Sequence, residues 1–433
     1  VKTNLLYGNK VLDIQIPDNT VIYESSYSPQ IESPEEVVLK AIRNPIQSLP
    51  LKEALNYRRS DDVVIVVSDI TRPIPYSKFL TKILNEVESA GVQRESIVIL
   101  IATGMHRPND RKEQEEMFGR DICKKYRIVN HFAAQEEDLI ELPNKSRSGN
   151  RVKLNRYFVQ AGFRIVTGLV EPHFMAGFSG GRKAICPGLV SLESIRRFHG
   201  YTFLSNPNAR NGNLTDNPCH EEALSIAQIE KVDFSINVVL NKKRQLVQAF
   251  AGELEAAHLE ACKYVRKYAC PSVNCEYDVV LTSSGGYPLD ATFYQCVKGM
   301  VSCLPLVKEK GTIISLGECR EGIGSSEYTE IMLKYANNWQ HFLKHIKNSR
   351  EVKKDQWQLQ MQTRVYEKIG QENLYFITHC LPKENVTHLG ARGIVSTERT
   401  VKPDIQKLLG KILDSNQSMA VLPEGPYCAP ISV

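Results

Sequence analysis

Residues 168–188 read Gly-Leu-Val-Glu-Pro-His-Phe-Met-Ala-Gly-Phe-Ser-Gly-Gly-Arg-Lys-Ala-Ile-Cys-Pro-Gly and bring His173, three turn glycines (Gly177, Gly180, Gly181) and Lys183 into one short segment. An imidazole is the ordinary side chain for acid and base work near neutral pH. Glycine-rich turns offer backbone N–H groups to a phosphate at a helix start, with Arg182 adding charge. A lysine between such a turn and the apolar Ala184-Ile185-Cys186 becomes nucleophilic when burial lowers its pKa, whereas a lysine that merely flanks a turn is a solvated surface residue. The spacing from Gly177 to Lys183 is that of a Walker A loop, but Arg182 stands where that loop needs its last glycine and Ala184 where it needs a hydroxyl. Without that hydroxyl the magnesium ligand is missing, so a P-loop kinase is not expected.

Four further groups carry chemical potential. Ser68-Asp69-Ile70-Thr71-Arg72-Pro73 places a carboxylate for a hydroxylated ligand and a guanidinium for an anion in a stretch fixed by proline. Thr103-Gly104-Met105-His106-Arg107-Pro108 follows an apolar run; a histidine there is either a catalyst or a hydrogen-bonded loop residue. His199 closes the helix expected over Leu192–Phe198, where it can equally be a cap that favours the helix dipole. In Gly285-Gly286-Tyr287-Pro288-Leu289-Asp290 and the following helix over 291–299, Tyr294 or Gln295 shares a face with Lys298, and this face either holds an anionic substrate across a cleft or is simply solvated. Trp357 either lines the same cleft or fills a core. His341 and His345 are spaced like a metal pair, but Phe342 occupies the position of a zinc protease glutamate, which leaves a solvated helix face.

These groups need a sheet to hold them. The β-branched runs Val63–Ser68, Ile97–Thr103, Arg127–Asn130 and Arg164–Val170 alternate with helical patterns at Ser77–Ala90 and Arg111–Phe118, the signature of a parallel sheet with crossover helices. Glycines at the carboxyl ends of such strands lie where α/β sheets present ligands. Phe234–Leu240 and Gln245–Ala251 form a strand pair, and Glu253–Tyr268 a long amphipathic helix. A second series comes next, with strands at Tyr277–Thr282, Gly311–Gly317, Leu374–Thr378 and Gly393–Thr397, after a hinge at Cys270–Asn274. The fold class is therefore α/β, with two Rossmann-like domains and the active site in the cleft between them. The expected division is 1–271 for the cofactor-binding catalytic domain and 276–404 for the second, with 405–433, including Met419–Leu422, returning to the first sheet.

At 433 residues the chain can bury more than one core, and 42% hydrophobic with 24% charged residues is ordinary globular composition. A net charge of +5 with no long basic block argues against nucleic acid. No apolar run reaches the roughly 18 residues of a membrane span, and no secretory leader pattern is seen, so a cytoplasmic protein without a membrane partner is expected. Eleven cysteines without a Cys-x-x-Cys pair suit reduced thiols rather than a zinc or iron–sulfur site.

Ser-Asp-x-Thr-Arg-Pro (68–73), Ala-Thr-Gly-x-His-Arg-Pro (102–108), Glu-Pro-His-Phe-x-Ala-Gly-Phe-Ser-Gly-Gly-Arg-Lys (171–183), His199, Asn-Pro-x-Ala-Arg-x-Gly-Asn-Leu (206–214) and Gly-Gly-Tyr-Pro-Leu-Asp…Tyr-Gln-x-Val-Lys-Gly (285–299) occur together and in this order. In this combination the chain resembles the lactate racemase family that uses the nickel-pincer nucleotide, over nearly its whole length. The resemblance implies nickel pyridinium-3,5-bisthiocarboxylic acid mononucleotide joined to Lys183 as a thioamide, with His199 as the protein ligand of nickel, a donor set that suits square-planar Ni(II). It implies His106 and His173 as an acid/base pair, one for each enantiomer. Arg72, Lys298 and Gln295 are then implied as contacts of substrate and cofactor, with Tyr294 and Trp357 beside the substrate. Asp69, Thr71, Ser179, Gly180 and Gly181 are implied on the cofactor side. The implied partners are a small 2-hydroxy acid and the proteins that make the cofactor and insert nickel.

The implied reaction is racemisation or epimerisation through a 2-keto acid, because direct removal of a Cα proton beside a carboxylate is unfavourable. Lactate is the default substrate, with malate, a longer-chain acid or a sugar acid as alternatives. Met105, Phe174, Met175, Phe293 and Trp357 are the expected apolar lining for the substrate's variable group. Competing readings are a pyridoxal phosphate enzyme with Lys183 as the Schiff base and a non-catalytic metabolite-binding protein.

Overall fold

The β-branched runs become the strands of two sheets in the computed structural model, which describes residues 1–29, 32–58, 62–349, 351–413 and 416–432. The first sheet has the order Leu246–Gly252, Phe234–Leu240, Phe163–Leu169, Val63–Ser68, Ile97–Ala102, Arg127–Asn130. All neighbours run parallel except Leu246–Gly252, which returns antiparallel on Phe234–Leu240. Val63–Ser68 and Phe163–Leu169 are buried on both faces, which explains why they read as unbroken apolar runs instead of alternating ones. Several of the helices between them start on side-chain caps, although Tyr76–Ser89 does not. Asp110 and Glu113 form a reciprocal capping box on Arg111–Phe118, and Ser191 accepts the Ser194 N–H at the head of Leu192–Phe198. That second helix ends at His199, so a serine cap at one end of a short helix sets the position of the imidazole at the other.

The second sheet is parallel throughout, in the order Arg392–Val395, Leu374–Thr378, Val307–Leu316, Tyr277–Ser283, Met419–Leu422, Val21–Ile22. This corrects the expected domain layout at both extremes. Met419–Leu422 pairs with Tyr277–Ser283 and not with the first sheet. The hairpin of Lys2–Tyr7 with Lys10–Gln15, expected with the first domain, packs Leu5, Tyr7 and Ile14 against Val279, Leu281 and Ile314 of the second sheet. At the expected hinge, Ser272–Val273 is not loose: it pairs with Ile431–Ser432. One large apolar cluster runs from Val64 and Val166 of the first sheet to Val280 and Ile313 of the second.

The buried helix Gln356–Ile369 of the second half fastens the two halves through polar side chains. Gln360 donates to the Tyr201 carbonyl, and Arg364 donates to the carbonyls of Leu204, Asn206 and Ala209. Among the described residues no helix is long and apolar enough to cross a membrane.

Candidate active site

The carboxyl ends of Val63–Ser68, Ile97–Ala102 and Phe163–Leu169 meet around a cavity of about 110 Å³ whose lining includes Asp69, Arg72, His106, Ser179, Gly180 and Lys183. A second cavity of about 40 Å³ shares Arg72 and adds Thr71, His173, Phe174 and Lys298. Lys298 comes from the helix Phe293–Ser302 of the second half, so the cleft is built by both.

The two histidines are fixed in opposite senses. Asp69 Oδ2 lies 2.6 Å from His106 Nδ1, and Asp69 Oδ1 accepts from the Thr71 backbone at 3.1 Å and hydroxyl at 2.5 Å. Burial alone would raise the Asp69 pKa, but hydrogen bonds from His106 and Thr71 and the charge of Arg72 outweigh it and hold the group below the usual carboxylate range. A carboxylate at Nδ1 demands a proton there, so in the neutral ring of His106 the lone pair is on Nε2. His173 is the reverse: its Nδ1 accepts the N–H groups of Met175 and Ala176, both at 3.2 Å, so the neutral ring carries its proton on Nε2. Burial first, then the charges of Lys183, Lys298, Arg72 and Arg182, push the His173 pKa well below its ordinary value.

The same two influences act on the lysines. Burial, aided by Arg182 and Arg72, lowers Lys183 to about 7. Burial and Arg72 lower Lys298 to about 7. Lys183 Nζ sits 5.5 Å from the ring centre of Phe198, the residue before His199. His199 Nδ1 donates to the Ile195 carbonyl at 2.8 Å, and burial brings its pKa to about 3; the ring is neutral with Nε2 free, as a metal ligand must be. Trp357 lies against that ring, centroids 4.5 Å apart, and its Nε1–H donates to Tyr294 Oη at 2.8 Å. The tryptophan thus neither lines the two cavities nor serves only as core; it holds the imidazole. Gln295 also lies outside both cavity linings, three residues from Lys298, and its buried Oε1 has no hydrogen-bond partner among the described residues.

The glycine turn differs from its expected use as a phosphate cradle. The Gly181 N–H is taken by Asn237 Oδ1 at 2.9 Å, and the Ser179 hydroxyl donates to the Leu169 carbonyl at 2.7 Å. Beyond Gly180 the chain makes a four-residue 3₁₀ turn, Gly181–Ala184, and no α-helix begins there. Arg182 points inward, 1% exposed, with its guanidinium on the Ala176 carbonyl and His258 Nε2, so it adds no contact to a phosphate. The turn's glycines serve close packing: at Gly180, φ is +76° and a Cβ would lie 2.6 Å from Val170 Cγ2. Met175 and Phe293 are core residues, while Phe174 lines the cleft.

Sequence reasoning missed Glu171, Asn211, Leu289, Pro426 and Tyr427, which complete the mouth. Glu171 stands 3.5 Å from Arg72. Pro426 and Tyr427 belong to the Gly425–Tyr427 turn just beyond Met419–Leu422, a fourth glycine-bearing strand end that the strand-end rule would have flagged.

Fold and site define a two-domain α/β enzyme whose cleft holds a histidine–carboxylate dyad, a second histidine and a lysine of lowered pKa, with a ligand-ready imidazole at the end of the Leu192–Phe198 helix. Residues 7–212 match the lactate racemase N-terminal domain and residues 273–427 the lactate racemase C-terminal domain. A lactate racemase of Thermoanaerobacterium thermosaccharolyticum is 36% identical over 367 residues, 83% of this chain and 84% of that one. A lactate racemase of Lactiplantibacillus plantarum is 33% identical over 397 residues, 90% of this chain and 91% of that one. The solved apoprotein structure of the Thermoanaerobacterium racemase superposes with a TM-score of 0.89 at 31% identity, covering 100% of both chains. A Thermotoga maritima protein shares the fold alone, with a TM-score of 0.64 at 18% identity over 88% of this chain and 97% of its own. The chain belongs to the lactate racemase family, and with it to the isomerases.

Proposed function

We propose that this enzyme interconverts the enantiomers of a small 2-hydroxy acid, with lactate, for which its relatives are named, as the substrate. The cofactor in this reading is the nickel-pincer nucleotide, tethered through Lys183 and ligated by His199. The residues fit such a group: a lysine lowered to about 7 supplies a free amine, and His199 presents Nε2 with Nδ1 already committed to Ile195. When bound, the group supplies a reversible acceptor for the Cα hydride.

The chain's own residues do the rest. Arg72 and Lys298 take the substrate carboxylate, and an arriving anion returns Lys298 to its charged form. His106 accepts the hydroxyl proton at Nε2, while Asp69 keeps the ring oriented and stabilises the imidazolium that forms. His173 meets the substrate oxygen as a donor through Nε2–H. Its turn as the base for the other enantiomer requires a bare Nε2, with the ring proton on Nδ1, and therefore the loss of the two hydrogen bonds that Nδ1 accepts from the Met175 and Ala176 amides. The cofactor side is lined by Ser179 and Gly180.

The observation that carries this reading is the lining of one cavity by Lys183, the His106–Asp69 dyad and Arg72. Protein from cells that also make the cofactor and insert nickel should carry a covalent adduct and one nickel per chain, and both should be lost in Lys183→Ala. Racemisation by protein free of nickel, or an adduct mapped to another residue, overturns it.

A further inference from the structure

We propose that Glu318, His379 and Cys380 form a second metal site, for a thiophilic divalent cation of the zinc type, apart from the cleft of Lys183. One donor atom from each of the three lies within 4.8 Å of the others. Glu318 follows the strand Val307–Leu316, and His379 and Cys380 follow Leu374–Thr378; these strands pair in parallel, so their carboxyl ends lie side by side. That edge is where α/β sheets gather ligands.

The donor set selects the ion. One carboxylate oxygen, one imidazole nitrogen and one thiolate suit zinc, whereas calcium and magnesium favour oxygen throughout. Tyr7 Oη lies 2.7 Å from His379 Nδ1, and a phenol oxygen accepting Nδ1–H leaves Nε2 free for a metal. Arg320 donates to Glu318 Oε2, which leaves Oε1. The carboxylate sits against Gly8, where a Cβ would lie 2.6 Å from it. Behind it, the buried Asp290 accepts the N–H groups of Gly8 at 2.7 Å and Glu318 at 3.2 Å through Oδ2, while its Oδ1 has no partner among the described residues. This adds an unsatisfied acceptor beside a cluster that already carries oxygen, nitrogen and sulfur donors.

On binding, the Cys380 thiol gives its proton to solvent as the metal–sulfur bond forms, with no change of oxidation state. Three protein ligands leave a fourth position for water. The ion would clip together the loops after two neighbouring strands, beside the Tyr7–Gly8 turn of the N-terminal hairpin and the Asp290 loop, whose Leu289 lines the mouth of the cleft.

The test titrates the full-length chain, cleared of adventitious metal, with Zn²⁺ against a chromophoric chelator, and with Co²⁺ as a spectroscopic probe. The expected result is one zinc per chain beyond any nickel, and a thiolate-to-cobalt charge-transfer band. Cys380→Ser, at an exposed position that keeps the fold intact, should abolish the band and weaken zinc by at least about tenfold, and His379→Ala should weaken it similarly. Lys183→Ala and His199→Ala should change neither, which separates this site from the proposed cofactor. Equal zinc affinity in wild type and Cys380→Ser, or loss of zinc in His199→Ala, overturns the proposal.

Discussion

The Lys183 amine should titrate near pH 7, and this can be measured without cofactor or substrate. At a pKa of about 7 half of the amine is free at neutral pH. A lysine at the ordinary value near ~10.4 is free to roughly 0.04% at that pH, so the expected excess of reactive amine is about 10³-fold. The assay labels the cofactor-free chain with a small amine-directed reagent at a series of pH values and quantifies the Lys183 peptide by mass spectrometry. Its rate should rise about tenfold per pH unit below 7 and level off above. Because burial is the first cause and Arg182 and Arg72 add to it, Arg72→Gln should move the midpoint upward but leave it well short of a free lysine's. The linked stability has a definite sign: between about 7 and ~10.4 the unfolded chain holds a proton the folded chain has released, so stability gains from this group as pH rises through that window. A labelling rate still climbing above about pH 9 refutes the reasoning, and with it the view that the fold prepares the lysine for tethering.

Two other contacts give outcomes of their own. Asp69→Asn should keep the Lys183 adduct but lower kcat by roughly 10²–10⁴, because an amide no longer fixes the His106 proton on Nδ1; and since two enantiomers are equal in free energy, kcat/KM must fall equally in both directions. Gly425→Ala should lower Tm, by several degrees at a cost of roughly 1–3 kcal/mol, because φ is +55° there and the new Cβ would lie 2.3 Å from the Ser283 carbonyl oxygen; an unchanged melting curve speaks against a rigid turn at the mouth.

The strands that carry His106, His173 and Asp69 were legible because each is a β-branched run buried on both faces and stopped by a glycine or proline, a pattern local to a few residues. The partner of Met419–Leu422 was not legible, since parallel pairing joins it to Tyr277–Ser283 some 140 positions away and no local signal records that choice. Arg182 misled for a different reason. A guanidinium beside a glycine turn is expected in water or on an anion, and only the packed structure supplies the Ala176 carbonyl and His258 that draw it inward. The proton positions on His106 and His173 were equally hidden, because they depend on Asp69, 37 residues away, and on two amides of a turn.

The second sheet takes Val21–Ile22 as its outer strand only through Met419–Leu422, and the mouth of the cleft is finished by Pro426 and Tyr427. Val21–Ile22 therefore gains its partner in this sheet only once Met419–Leu422, about 400 positions further along the chain, has been made. The first sheet can assemble well before that, with Lys183 and His199 in place but the cleft still open on one side. Under the proposed function, the segment 419–427 then closes one side of a cleft whose tether and nickel ligand are already in place, so it bounds the room left for the cofactor and does not build its anchor points.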